Sequence, residues 1–253
     1  MDIIEFTRLE NRYNLDRHPW ETTRLKIIRY LLHKNIQGKE QIIDIGSGDA
    51  FIAKQIAHSF PNSFVTAVDI HYTDQIIAAI KIPELPNIHF INNIDQINQK
   101  KKAEAIILMD VLEHVQHPKN LLKNLCALSV TQKSTFFFIT VPAFQFLFTE
   151  HDINLGHYRR YNDKALKKLV ANSNMKVLYS GYFFNSLLIL RLWQKLSSSS
   201  LSSRTVYNWK GSRFLTSLLN TFFWMEFKIS WYLACIGIKV PGLTCYTICQ
   251  PYL

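Results

Sequence analysis

The chain has 253 residues, 48% hydrophobic and 19% charged, with 29 Lys and Arg against 19 Asp and Glu for a formal net charge of +10. That length buries one substantial core, and the basic residues are dispersed, tightest at Lys100, Lys101 and Lys102, without an Arg-rich arm, so nucleic acid is not an expected partner. Cys126, Cys235, Cys245 and Cys249 contain no CxxC pair, which argues against a disulfide framework or a metal site, and no stretch reaches the roughly 18 apolar residues of a membrane span.

The opening segment, MDIIEFTRLENRYNLDRHPW, is charged throughout and lacks the apolar core of a signal peptide, so a cytoplasmic location is expected. In TTRLKIIRYLLHK, residues 22–34, Leu25, Ile28, Leu31 and Leu32 share a helical face. QIIDIG reads as a buried strand, FIAKQIAHSF as an amphipathic helix, and SFVTAVDI as a second strand closed near Asp69. A helix over IIAAIKI, strands over IHFINN and AEAIILMD, a helix over HPKNLLKNLCALS and a strand over STFFFITVP follow. DKALKKLVANSN predicts a helix and KVLYSGYFF a sixth strand. Residues 184–240 form an apolar helical insertion before the last strand, LTCYTICQ. Strands and helices alternating at this pitch predict an α/β, Rossmann-like, doubly wound and mostly parallel seven-stranded sheet. The chain reads as one domain: an N-terminal helical lid over 1–40, a core over 41–183, the insertion, and a final strand over 241–253. Ligands of such sheets bind at the carboxyl ends of the strands.

IIDIGSGDAFIA, residues 42–53, places Asp44, Gly46, Ser47, Gly48 and Asp49 at the first strand's end. A pyrophosphate clamp uses GxGxxG, whereas Phe51 stands at the third glycine position and Asp49 adds a carboxylate. A like-charge pair at 4 Å costs about 4 kcal/mol at an effective dielectric of 20. A cationic nucleoside suits these residues better. S-adenosylmethionine offers an ammonium to Asp44, a sulfonium, and a carboxylate for the turn's N–H groups, and the glycines admit the backbone closely. Asp69, at the next strand's end, is placed to reach both ribose hydroxyls, a feature shared with NAD enzymes.

With DVLEHV at residues 110–115, these motifs together resemble the class I S-adenosylmethionine-dependent methyltransferases over about residues 20–180. The resemblance implies cofactor contacts from Asp44, Gly46, Ser47, Gly48, Asp69, Ile70, Asn93, Ile94, Asp110 and Val111. Two positions depart from the family's pattern: Ala50 replaces a glycine, and Asn93 stands where an acidic residue often meets the adenine. RHPWETTR, residues 17–24, lies where related enzymes fold a lid, so Trp20 is expected near the sulfonium by cation–π attraction and Arg24 near the methionine carboxylate. Packing of Trp20 on the sheet edge is an equal alternative.

FTEHDINLGHYRRYNDKALKKL, residues 148–169, is similar to the LGHxRRY segment of a bacterial subgroup often found with sugar- or lipid-modifying functions. His157, His151 and His114 are the candidate proton acceptors, and Tyr158, Arg159, Arg160 and Tyr161 the candidate substrate contacts. The structural alternatives are that His114 and Glu113 tie the turn after the fourth strand, that Arg159 and Arg160 pin the loop by ion pairs, and that Tyr161 starts a helix.

In the insertion, Leu215, Leu218, Leu219, Phe222, Met225, Ile229 and Tyr232 recur at helical spacing, flanked by Arg204, Lys210, Arg213 and Lys228. Core packing, a dimer face, a lid and contact with the inner face of a membrane are all compatible with that stripe. The expected activity is S-adenosylmethionine-dependent methylation, of oxygen before carbon, on a small or lipid- or sugar-linked metabolite. An NAD-dependent oxidoreductase or epimerase and a non-catalytic module of the same fold are the rivals.

Overall fold

The computed structural model describes residues 17–80, 85–196, 209 and 211–252. Arg204, Lys210 and residues 1–16 of the expected lid lie outside the described residues. In chain order the elements are α1 (Pro19–Asn35), β1 (Gln41–Ile45), α2 (Phe51–Ser59), β2 (Phe64–Val68), α3 (Asp74–Ile80), β3 (Ile88–Ile91), β4 (Ala103–Met109), α4 (Pro118–Ala127) and β5 (Phe136–Pro142). There follow α5 (Glu150–Asn154), α6 (Asp163–Ala171), β6 (Met175–Phe183), α7 (Asn185–Leu196), α8 (Arg213–Cys235) and β7 (Thr244–Pro251). The seven strands form one sheet in the order β3-β2-β1-β4-β5-β7-β6, with the order reversing between β1 and β4. β1 to β5 are mutually parallel, and β7 runs antiparallel to both β5 and β6. This is the expected architecture, down to the helical insertion between β6 and β7.

The pleat divides the core in two, because successive side chains in a strand point to opposite faces. Ile42 of β1 and Ala105 and Ile107 of β4 pack with α1, α2 and α8 on one face. Ile43, Ile45, Ile106 and Leu108 pack with α4 and α6 on the other. Pro19 sits in the first turn of α1, where its missing N–H costs nothing.

In α8 the buried face is Phe223, Phe227, Ser230 and Trp231, not the predicted stripe. Leu218, Phe222, Met225, Ile229 and Tyr232 are all more than half exposed. A helix apolar on every side gives periodicity nothing to choose between faces. What selects the face is tertiary: α8 packs beneath α1, where Thr22 and Thr23 hydroxyls donate to Asn220 Oδ1 at 2.8 and 3.0 Å and Lys228 Nζ donates to Tyr30 at 3.0 Å.

Asp163, opening α6, fastens the exit of the insertion: Lys239 Nζ donates to both its carboxylate oxygens at 2.7 Å, and Lys167 lies 3.1 Å away. Burial opposes ionisation, yet Lys239, Ser180 and Lys167 together hold the carboxyl below the usual range. A depressed carboxyl contributes stability above its unfolded value, about 4, and loses it as the pH falls through the folded value. Asp163→Asn is therefore expected to cost about 1–3 kcal/mol near neutral pH and distinctly less at about pH 3, measured by urea unfolding. An equal deficit at both pH values would contradict this.

Candidate active site

The ends of β1, β2 and β4 converge on the glycine turn. Gly46, Gly48 and Ala50 take φ of 68°, 56° and 58°, the left-handed region in which a side chain is strained. At Gly46 there is also no room, since a Cβ would lie 2.7 Å from Cγ2 of Val111. The left-handed turns aim the backbone inward. Gly46 and Ser47 N–H both donate to the Val68 carbonyl at 2.8 and 3.0 Å, and Ala50 N–H donates to Ser47 at 2.9 Å. Gly48 N–H donates to Asp69 Oδ2 at 2.9 Å, and Phe51 N–H to Asp49 Oδ1 at 3.3 Å.

This corrects the electrostatic reading of the turn in two respects. Asp49 does not face a ligand uncompensated, for Arg17 pairs with it from the N-terminal segment while stacking on Phe51 at 4.3 Å. The N–H groups of Gly46, Ser47, Gly48, Ala50 and Phe51, meanwhile, are engaged by protein acceptors, so these five are not the cradle for a carboxylate that was expected. The same engagement takes those five donors from the clamp that a pyrophosphate would need.

What remains at the strand ends is acidic. Asp44 is buried and accepts from the Ser47 hydroxyl at 2.9 Å. Burial pushes its carboxyl up to about 7 despite that hydrogen bond, and the neighbouring charges of Asp69 and Asp49 add to the rise. Asp69 accepts from Gly48 and, at 3.0 Å, from His71 N–H, one bond on each oxygen. A carboxylate has about four acceptor sites, so each oxygen keeps a lone pair for a ribose hydroxyl. Tyr72, which the sequence reading missed, is buried beside them with its hydroxyl near Ser47, and among the described residues that hydroxyl makes no hydrogen bond of normal geometry. Ile70, next to Asp69 in the chain, projects into solvent at 80% exposure. Asn93 is committed locally: its side-chain oxygen accepts from Asp95 N–H at 3.0 Å and caps the short turn that begins at Ile94.

Asp110, at the end of β4, has φ of 54°, accepts from the Thr140 hydroxyl at 3.0 Å, and pairs with Arg24 of α1. Arg24 thus reaches the strand ends as expected, but to a protein carboxylate. Trp20 is 39% exposed and packs against His18, with ring centroids 4.8 Å apart. Arg17 and Arg24 together strap the start of α1 across the ends of β1 and β4.

On the acceptor side, Asp152 organises the loop after β5. It is completely buried, completes a capping box with Thr149, and receives Arg160 on both oxygens at 2.8 and 3.0 Å. His157 Nδ1 lies 2.9 Å from Asp152 Oδ1. Burial works against ionisation of Asp152, but His157, Arg160 and Thr149 hold its carboxyl far below the ordinary range. An ionised carboxylate can only accept, so Nδ1 carries the hydrogen and the tautomer is fixed with Nε2 as the free ring nitrogen of the neutral imidazole.

Arg160 therefore pins the loop and does not await a substrate, and Tyr161 is a core residue whose hydroxyl donates to the Leu112 carbonyl at 3.3 Å. Arg159 donates to the Gln116 carbonyl at 3.0 Å, and Tyr158 is 54% exposed. His151 is exposed on α5, whereas His114 and His157 meet edge to face at 4.5 Å. Glu113, beside His114, is completely buried, and its carbonyl accepts from Tyr158 N–H at 2.7 Å.

Residues 17–180 match the family model described as a methyltransferase domain. The chain belongs to that family. A search of the curated proteins gives no match. Among solved structures, the chain resembles coclaurine N-methyltransferase bound to N-methylheliamine and S-adenosylhomocysteine, at 14% identity and a TM-score of 0.53, over 89% of this chain and 70% of that one. The methyltransferase domain of a bacterial Hen1 gives 13%, 0.53, 91% and 98% in the same measures. The [4+2]-cyclase SpnF gives 12%, 0.55, 94% and 85%. At these identities the likeness is one of fold.

The packing at Gly46 of this methyltransferase is directly testable. Gly46→Ala should lower stability by about 1–3 kcal/mol through φ strain and overlap, and Val111→Ala on top of it should recover the part due to overlap. An unchanged denaturation midpoint in Gly46→Ala would contradict the geometry.

Proposed function

We propose that this methyltransferase moves the methyl group of S-adenosylmethionine to an oxygen of a small or lipid- or sugar-linked metabolite. Methyl transfer is an in-line displacement in which the departing sulfur keeps the bonding pair, so alignment and electrostatics are what the protein supplies. Asp69 would hold the ribose, Asp44 and the Tyr72 hydroxyl the amino-acid end, and Gly46, Gly48 and Val111 the wall between them. The pyrophosphate of a dinucleotide would find the turn's amides already engaged.

The observation that carries the acceptor half is the Asp152–His157 pair. A buried carboxylate that fixes one imidazole nitrogen leaves the other as a lone pair on which loss of a hydroxyl proton can depend. His157 takes that role, with His114 beside it; His151, exposed on α5, is not brought to the pair. Arg159 and Tyr158, at the exposed rim, are the substrate contacts this reading retains. Exposed Ile189, Leu190 and Trp193 of α7 and Phe214, Leu218 and Phe222 of α8 support a lipid-linked acceptor met at the inner face of a membrane by a cytoplasmic enzyme. Among the described residues no helix is long and apolar enough to cross one.

His157→Ala should lower turnover by about 10²- to 10⁴-fold with the S-adenosylmethionine dissociation constant unchanged, and full turnover would remove His157 from the reaction. Asp69→Ala should weaken that dissociation constant, and calorimetry showing no change would sink the ribose assignment. Because the cation prefers the ionised form of Asp44, affinity should strengthen as the pH rises through about 7 and level off above it. A pH-independent affinity between about 6 and 8 would show that Asp44 does not face the cofactor's charge.

A further inference from the structure

Glu113 is the one completely buried acid whose two carboxylate oxygens have no hydrogen-bond partner among the described residues. Removing a charged group from water without donors is costly, and the nearby cations do not relieve it. Arg24 and Arg160 both lie within electrostatic range of Glu113, yet each is committed to another carboxylate, Arg24 to Asp110 and Arg160 to Asp152.

Two imidazoles share this position. One ligating atom each from Glu113, His114 and His157 lie within 4.8 Å of one another. The elements that carry them are joined, since Tyr158 N–H bonds the Glu113 carbonyl at 2.7 Å and the His114 and His157 rings are in edge contact. Behind them, Asp152 holds His157 by Nδ1 and is itself held by Arg160 and Thr149. A carboxylate bonded to the far nitrogen of a ligating imidazole is the usual outer support of a metal site, fixing tautomer and ring orientation.

We propose that Glu113, His114 and His157 bind a divalent first-row transition-metal ion. Two imidazoles and one carboxylate match the preferences of zinc, cobalt and non-haem iron. Such an ion takes ligands at about 2.0–2.2 Å, so ligands on one ion lie about 3–4 Å apart and the side chains would draw in by roughly an ångström. The cysteine spacing gave no hint of this site because none of its ligands is a cysteine. Three protein ligands leave coordination positions open on the exposed side of His114, where an acceptor oxygen can bind and be acidified. That role, unlike the binding itself, rests on the oxygen-acceptor reading above; His157 would then act on the acceptor proton through the ion.

Cobalt(II) added to chelator-treated full-length protein reports on the site through its visible absorption, independently of turnover. One equivalent should bind with a nitrogen- and oxygen-ligand spectrum. Glu113→Gln and His157→Ala should lose saturable binding, Asp152→Asn should weaken it about 10- to 100-fold, and His151→Ala should bind as the parent does, each variant first shown to be folded by circular dichroism. Absence of saturable binding in the parent, or equal binding in folded Glu113→Gln, would overturn the proposal. The assignment of the acceptor proton to His157 fails separately, by His157→Ala retaining full turnover, whatever the cobalt titration gives.

Discussion

Three hydrogen bonds, from Gly46 and Ser47 N–H to the Val68 carbonyl and from Gly48 N–H to the carboxylate of Asp69, join the glycine turn after β1 to the end of β2. The left-handed residues at Gly46, Gly48 and Ala50 turn the amides toward protein acceptors, and Val111 closes over the space that a side chain at Gly46 would need. The result is a rim of carboxylates with few donors left over, an environment that favours a positively charged ligand. Asp44 expresses this most directly, because burial among like charges leaves it reluctant to ionise until a cation arrives.

The loop after β5 is built on a second buried carboxylate with the opposite character. Asp44 has one side-chain donor, the Ser47 hydroxyl; Asp152 has Arg160, His157 and Thr149, and stays ionised in spite of its burial. The contrast separates two tasks within one sheet edge. The first carboxylate is reluctant to ionise, and the second is a fixed post that orients an imidazole. Between them, Asp110 ties α1 to β4 through Arg24, so the start of α1 is attached to the same strand that leads into Glu113 and His114.

The sheet was legible in the sequence because its signals are local: apolar runs such as AEAIILMD, amphipathic helices between them, and proline or asparagine at helix starts. Asp44, Gly46, Gly48 and Asp69 were legible because motif spacing fixes where strand ends fall. Partnerships across the chain were not. Nothing near Arg160 announces that it is bound to Asp152, and nothing near Asp49 announces Arg17, because each pair depends on which loops the sheet order brings together. Likewise Glu113 looks like an ordinary acid at a helix start, and only the structure shows that it is buried without donors among the described residues. The buried face of α8 was hidden for another reason: all of its faces are apolar, so packing under α1 decides.

The central claim is that the strand-end carboxylates hold a cationic nucleoside, with its ribose on Asp69. A crystal structure of the protein with S-adenosylhomocysteine tests it most directly. The account predicts both ribose hydroxyls within hydrogen-bond distance of Asp69, with the amino group turned toward Asp44. A nucleoside lodged elsewhere, or Asp69 still bonded only to Gly48 and His71, would contradict it.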